Sequence, residues 1–255
     1  MRLPRLVRRS LLLPLVLVFA AISGAAQSSP TSGTPKGPGT VLSAEQALED
    51  FDRLRAALEE AHGGLYRYVS REETARRFAD YRGRLNREIG WSDFAALIAE
   101  MLAGTHDGHM RLEYDSATTA KLVTARMFPL QVRIEGTRIV VLSNDTPADT
   151  VLRPGMEIQR INRRSADELL AYLLPRVPGD GFIETGKRYR LGREFPRYYW
   201  VLVEQADTFE VTARDQNGRS VTTRVAGVAV ADRQNNANPV NAGLKTFLAR
   251  LDGPR

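Results

Sequence analysis

The sequence predicts an α+β protein in which a small helical domain, residues 41–115, precedes a β-rich module, residues 116–230. Two observations support this prediction. Apolar side chains recur at the spacing of amphipathic helices up to about residue 105, and from residue 128 onward they alternate with polar residues as they do in strands. The 255 residues are enough for one large domain or two small ones.

The first 40 residues differ in composition from the rest. Four arginines precede the apolar run Leu11–Ile22, and small residues follow at 23–27. This order is typical of a secretory signal peptide, so we predict a signal peptide at residues 1–26 and export to the periplasm or the extracellular space. Residues 27–40 are rich in Ser, Thr, Pro and Gly and are predicted to form a flexible linker. No membrane attachment is expected once the leader is cleaved.

Charge and cysteine content exclude several classes of function. The leader contributes four of the positive charges behind the formal net charge of +6, and no basic stripe with interleaved aromatic residues follows it, so nucleic acid is not an expected partner. The chain has no cysteine, which excludes disulfides, thiolate metal sites and a bacterial lipoprotein anchor. We predict neither a cofactor nor a bound metal.

Three predicted helices form the N-terminal domain, and each begins at a serine that can act as an N-cap. Ser43 with Gln46 has the pattern of a capping box, Ser70 precedes Glu73 by three residues, and Ser92 is the third predicted cap. The apolar faces consist of Leu48, Phe51, Leu54 and Leu58, then Phe78, Tyr81 and Leu85, then Phe94, Leu97, Ile98, Met101 and Leu102. Such helices are marginal alone, so we expect them to pack together.

The β-rich module begins with a predicted hairpin. Leu130, Val132 and Ile134 alternate with polar residues, and an apolar run, 139–142, follows a Glu-Gly turn. A second hairpin is predicted around Asn217-Gly218.

The remaining segments give weaker patterns. Residues 179–195 lack a clear period and are predicted to be a loop, and Tyr198–Leu202 is predicted to be a strand. Residues 231–255 are predicted to be a polar tail that ends in an amphipathic helix.

The segment Leu152–Asn162, with the letters LRPGMEIQRIN, resembles the core of a PDZ-like domain. Its Pro-Gly pair is strong turn chemistry before a short buried strand. The resemblance implies binding of an extended peptide, which would add as a strand beside a helix. The expected partners are therefore extended peptides or unfolded protein segments.

The predicted peptide groove has a strand side and a helix side. The strand side consists of Met127, Phe128 and Leu130, and the helix side consists of Leu169, Leu170 and Leu173. The alternative is that these six apolar residues are simply core. Residues 125–128 also lack the glycine that usually allows backbone N–H groups to receive a peptide carboxylate, so the groove is closed, binds internal segments or is vestigial.

The order of these parts resembles the N-terminal half of tail-specific (C-terminal processing) serine peptidases. The matching segments are His62–Tyr68, Gly104–Leu112, Phe128–Leu130, Leu152–Asn162 and the hairpin 209–225. In that family the catalytic serine and lysine lie in a further domain, and no residue of this chain matches them. The resemblance therefore implies an exported protein that lacks the catalytic domain and has no catalytic residue of its own. Such a protein is a peptide-binding remnant or fragment of a peptidase. A stand-alone periplasmic binding or scaffold protein is the first alternative.

The letters HDGH at 106–109 suggest a second alternative, a metal-dependent enzyme that uses His106 and His109. The glycine at 108 instead favours a tight turn. In that structural interpretation, Asp107 hydrogen-bonds to the backbone and His109 packs at the seam between the two domains. The family resemblance likewise implies a structural role for this turn.

Overall fold

The structure is a computed structural model that describes residues 37–146 and 149–233. The predicted signal peptide and the predicted terminal helix lie outside the described residues. The described residues belong to one compact unit. Among them, no helix has both the length and the apolar character that a bilayer crossing requires.

The fold is α+β, as predicted. Its helices are α1 Ala44–Ala61, α2 Arg71–Gly83, α3 Trp91–Ala103, α4 Ser116–Thr124, α5 Ala166–Leu173, α6 Glu184–Leu202 and α7 Val230–Arg233, with a short 3-10 helix at Leu174–Arg176. Its strands are β1 Val41–Leu42, β2 Ile89–Gly90, β3 Arg126–Met127, β4 Leu130–Glu135, β5 Arg138–Asn144, β6 Glu157–Ile161, β7 Arg164–Ser165, β8 Thr208–Arg214, β9 Ser220–Ala226 and β10 Val228–Ala229.

Local capping chemistry positions the first two helices as predicted. The Ser43 hydroxyl accepts a hydrogen bond from the backbone N–H of Gln46 at 3.3 Å, and the Gln46 side chain accepts one from the backbone N–H of Ser43 at 3.1 Å. Ser70 accepts from the N–H of Glu73 at 3.2 Å. These caps satisfy N–H groups that have no partner within the helix.

The predicted cap of the third helix is wrong by two residues. Helix α3 begins at Trp91 after Gly90, and Ser92 lies inside it. The reason is tertiary, because β2 pairs with β1 and the N–H of Trp91 donates to the carbonyl of Thr40 at 2.9 Å. That bond satisfies a donor at the start of the helix that a serine cap would otherwise serve.

The main sheet is antiparallel, with the strand order β4-β5-β6-β8-β9 and β7 paired to β6. Both predicted hairpins are confirmed. Gly136 makes the first turn with φ +61°, and Gly218 makes the second with φ +81°. Positive φ strains residues that carry a β-carbon, which explains glycine at both turns.

The clearest correction concerns the segment after α5. The predicted loop 179–195 and the predicted strand Tyr198–Leu202 are largely one helix, α6, with a kink at Glu194 (φ −111°, ψ 16°). Pro196 removes a helical N–H and its ring crowds the preceding turn. The sequence pattern therefore does not indicate a continuous helix across residue 196. Packing outweighs that cost, since Leu191, Phe195 and Tyr199 are almost completely buried.

Helix α6 lies directly against the backbone of β4. A β-carbon at Gly192 would be 3.0 Å from the carbonyl oxygen of Val132 and 3.4 Å from the nitrogen of Ile134. These distances are at or inside the limit of ordinary contact, so the missing side chain at 192 permits the approach. The helix and the strand therefore enclose apolar core between them.

Candidate functional site

All six residues of the predicted peptide groove are buried. Met127, Phe128 and Leu130 on one side and Leu169, Leu170 and Leu173 on the other are at most 4% exposed, and they belong to one hydrophobic cluster. The Phe128 ring lies 5.6 Å from that of Phe195 and 5.9 Å from that of Tyr199, both on α6. The structure thus places these residues in the core, and their contact with a peptide stays a prediction that this burial does not favour.

The HDGH turn, residues 106–109, carries a cluster of polar contacts. The Asp107 carboxylate lies between two imidazoles, because its Oδ2 is 3.2 Å from His62 Nε2 and its Oδ1 is 3.1 Å from His109 Nδ1. Oδ1 also accepts from the backbone N–H of His109 at 2.8 Å. The prediction that Asp107 bonds to the backbone is confirmed, and its contact with two imidazoles was not predicted.

These contacts determine the charge of Asp107. Burial by itself would raise the pKa of this carboxyl. The backbone and ring hydrogen bonds from His109, together with the charges of His62 and His109, outweigh burial and lower the pKa below its ordinary value of 3.8. Asp107 is therefore a carboxylate at neutral pH, which accepts hydrogen bonds through Oδ1 and faces His62 through Oδ2.

The prediction that His109 packs at a seam is wrong, since its side chain is 92% exposed. The packed imidazole is that of His106. His106 adopts a left-handed backbone (φ +58°), its Nδ1 lies 2.9 Å from the carbonyl oxygen of Gly181, and its ring centroid is 4.5 Å from that of Phe182. The turn thus directs one histidine inward and the other outward.

A loop before α6 holds the turn in place. The backbone N–H of Gly108 donates to Asp180 Oδ1 at 2.9 Å, and Arg190 of α6 donates to the carbonyl of Gly108 at 2.9 Å. A β-carbon at 108 would lie 2.7 Å from Asp180 Oδ1, so a larger residue here would displace the Asp180 side chain. The Gly-Asp-Gly letters at 179–181 were the sequence signal for this partner, and the loop prediction did not use it.

The turn does not form the predicted metal site of His106 and His109. The side chains that approach within ligand distance of one another are instead Asp107, His109 and Asp180, whose ligand atoms lie within 4.8 Å. Asp107 Oδ1 and Asp180 Oδ1 each already accept a backbone N–H hydrogen bond. The structure thus brings together a different set of side chains from the pair His106 and His109, and Nδ1 of His106 lies beside the carbonyl oxygen of Gly181 instead.

Comparisons with known proteins identify the fold. No family model matches the sequence, and no curated protein sequence matches it. Solved structures do match, among them three of CPAF, a chlamydial serine protease. The complex of mature CPAF with lactacystin superposes with a TM-score of 0.54 at 14% identity, covering 72% of this chain and 34% of CPAF. Mature CPAF alone has a TM-score of 0.46 at 14% identity, and a serine-to-alanine mutant has 0.49 at 15%, with the same coverage.

At this identity the comparison shows that the two chains share a fold over the part that superposes. The chain spans about a third of the length of the CPAF structures that it matches. The predicted resemblance to tail-specific peptidases is thus supported for the fold, and its restriction to an N-terminal region stays a prediction.

Proposed function

We propose that this chain is the base-bearing part of an exported, serine-peptidase-like protein that acts on extended polypeptides. His109 would serve as general base, Asp107 would orient it, and the nucleophile would come from outside the described residues. The protease-related fold supports the reaction class. The leader-like residues 1–26 support export.

One observation carries the proposal, the geometry of the Asp107–His109 pair. The carboxylate binds the ring at Nδ1, 3.1 Å away, while the side chain is 92% exposed. A base of this kind needs one nitrogen oriented by a third group and the other directed at the reacting hydroxyl. Nε2 of His109 is the remaining nitrogen on an exposed ring.

The chemistry of such a pair is proton transfer. Nε2 takes the proton of an attacking hydroxyl as the hydroxyl oxygen bonds to an acyl carbon, and the same nitrogen returns that proton to the leaving group. The Asp107 carboxylate stabilises the imidazolium between these two steps. A positioned base of this kind typically contributes about 10²–10⁴-fold to the rate.

Hydrolysis of p-nitrophenyl acetate by the purified chain tests the base directly, with water as the nucleophile. We expect H109Q to lower the protein-dependent rate by about tenfold or more, D107N to lower it as well, and the reaction to slow in D2O because a proton moves in the transition state. H106Q is the matched control, since the ring of His106 is already packed against Phe182. Equal rates for wild type and H109Q would sink the proposal.

Polypeptide cleavage needs the nucleophile as well. We therefore expect the chain alone to leave labelled unfolded casein intact. Cleavage that is lost on mutation of one of the described serines would show that the nucleophile belongs to the described part.

A stand-alone binding or scaffold protein is the second candidate, and strand β9 favours it. This strand ends the described sheet, and most of its side chains are exposed or half-exposed, so an extended peptide could add to its outer edge. Arg224 near its end is the kind of charged residue that protects sheet edges from unwanted pairing. Fluorescence anisotropy with unfolded casein separates the candidates. A binder without chemistry would bind equally well as wild type and H109Q, and neither would hydrolyse the ester.

A further inference from the structure

His62 lies in a fixed position at the end of α1. Its backbone N–H donates to the carbonyl of Leu58 at 3.0 Å, and its own carbonyl accepts from the N–H of Leu65 at 3.1 Å. Only 12% of its side chain is exposed. The ring is therefore held by backbone geometry on both sides of the helix end.

The backbone also determines which ring nitrogen of His62 carries the proton. The N–H of Gly64 donates to His62 Nδ1 at 3.2 Å, so Nδ1 must be the acceptor in the neutral ring. Nε2 then carries the hydrogen and faces Asp107 Oδ2 at 3.2 Å, an electrostatic contact of a donor with a carboxylate. A peptide N–H thus selects the tautomer of His62.

The hydrogen bonds continue to the exposed ring. With Oδ2 engaged by His62, Oδ1 remains for His109, whose backbone N–H and Nδ1 lie 2.8 and 3.1 Å from it. A carboxylate accepts and does not donate, so Nδ1 of His109 must carry the hydrogen, which leaves Nε2 as the acceptor. Gly64 therefore donates to His62, and both His62 and His109 direct an N–H at Asp107, which only accepts.

We propose that His62 is a positioning residue, which holds the Asp107 carboxylate in the rotamer that keeps His109 in its Nδ1–H tautomer. The proposal rests on the proposed function only for its catalytic meaning, since the tautomer can be measured without any reaction. In metal enzymes, residues that hydrogen-bond to a metal ligand typically contribute about 10- to 100-fold to activity. We expect His62, which acts through Asp107, to contribute to ester hydrolysis by a similar factor.

The test is nitrogen NMR of the full chain labelled at histidine, at a pH where the imidazoles are neutral. In wild type we expect His109 as the Nδ1–H tautomer and His62 as the Nε2–H tautomer. H62F keeps an aromatic ring but has no hydrogen-bond donor. In this variant His109 should populate both neutral tautomers, as free histidine does. H62Q carries an amide that reaches the same carboxylate oxygen and should restore the Nδ1–H tautomer.

Three results would overturn the inference: His62 protonated at Nδ1 in wild type, an unchanged His109 tautomer in H62F, or identical spectra for H62F and H62Q. The wild-type measurement decides the matter even if H62F does not fold. In the ester assay we expect H62F to lose about tenfold and H62Q to stay within about twofold of wild type.

The two proposals fail in different ways. If the tautomer of His109 changes with residue 62 but H109Q does not change the rate of ester hydrolysis, the proposed function is wrong and the positioning role stands. If H109Q slows ester hydrolysis but the His109 tautomer is unchanged by substitution of His62, the proposed function stands and the positioning role is wrong.

Discussion

Replacing Gly192 with alanine should drive helix α6 away from strand β4. The new β-carbon would lie 3.0 Å from the carbonyl oxygen of Val132 and 3.4 Å from the Cα of Arg133. Both atoms belong to the backbone of a paired strand, which cannot rotate away as the end of a side chain can. Overpacking of this kind typically costs about 1–3 kcal/mol.

The higher helix propensity of alanine opposes this overpacking cost, and the two effects must be measured separately. Alanine is favoured over glycine by about 1 kcal/mol inside a helix, so G192A alone mixes a gain with a loss. Gly186 in the same helix offers the matched control, because a β-carbon there meets nothing within 4 Å. We expect G186A to be neutral or stabilising by up to about 1 kcal/mol, less than a mid-helix site because it lies near the helix start.

Urea unfolding followed by circular dichroism measures both variants. The free energy of unfolding should be about 1–3 kcal/mol lower for G192A than for G186A. In thermal melts this difference corresponds to about 2–4 °C per kcal/mol for a chain of this size. If G192A is as stable as G186A, the close approach of α6 to β4 does not exist and the argument for an enclosed core fails.

Three further predictions concern other parts of the chain. Asp107 has a lowered pKa in the folded protein, so its contribution to the free energy of unfolding should be complete above the ordinary carboxyl range and lost as pH falls below 3.8 toward the lowered value. In thermal melts from pH 2 to 7, D107N should therefore lose less stability at acid pH than wild type does. An unchanged acid dependence in D107N would contradict the lowered pKa. S43A should lower the free energy of unfolding by about 1 kcal/mol in urea, while S43D keeps a capping acceptor and should not. Alkaline phosphatase fused behind residues 1–26 should be active outside the cytoplasm of a bacterial host. Deletion of residues 11–22 from the fusion should abolish this phosphatase activity. An active deletion variant would count against export by a signal peptide.

Structure that depends on a few neighbouring residues could be predicted well. The cap at Ser43 and the turns at Gly136 and Gly218 form from contacts within about four residues, so the letters alone specify them. The α+β class follows from the change of period along the chain, which reports burial on one face of each element.

The helix α6 could not be predicted, because its local signals conflict with its environment. Pro196 suggests a break, and the aromatic residues 198–200 suggest a strand. Contacts with Phe128, between β3 and β4, and with Phe209 of β8 decide the outcome, with ring centroids 5.9 and 5.8 Å from Tyr199.

The candidate site shows the same division. The sequence by itself determined that residues 106–109 make a tight turn and that Asp107 bonds to the backbone beside it. Only the tertiary structure decided that His62, at the end of another helix, reaches the same carboxylate, that His106 turns inward and that His109 faces solvent. The physical reason is distance along the chain. A contact between residues 45 positions apart, His62 and Asp107, exists only after α1 and α3 have packed, and no local pattern of letters encodes that packing.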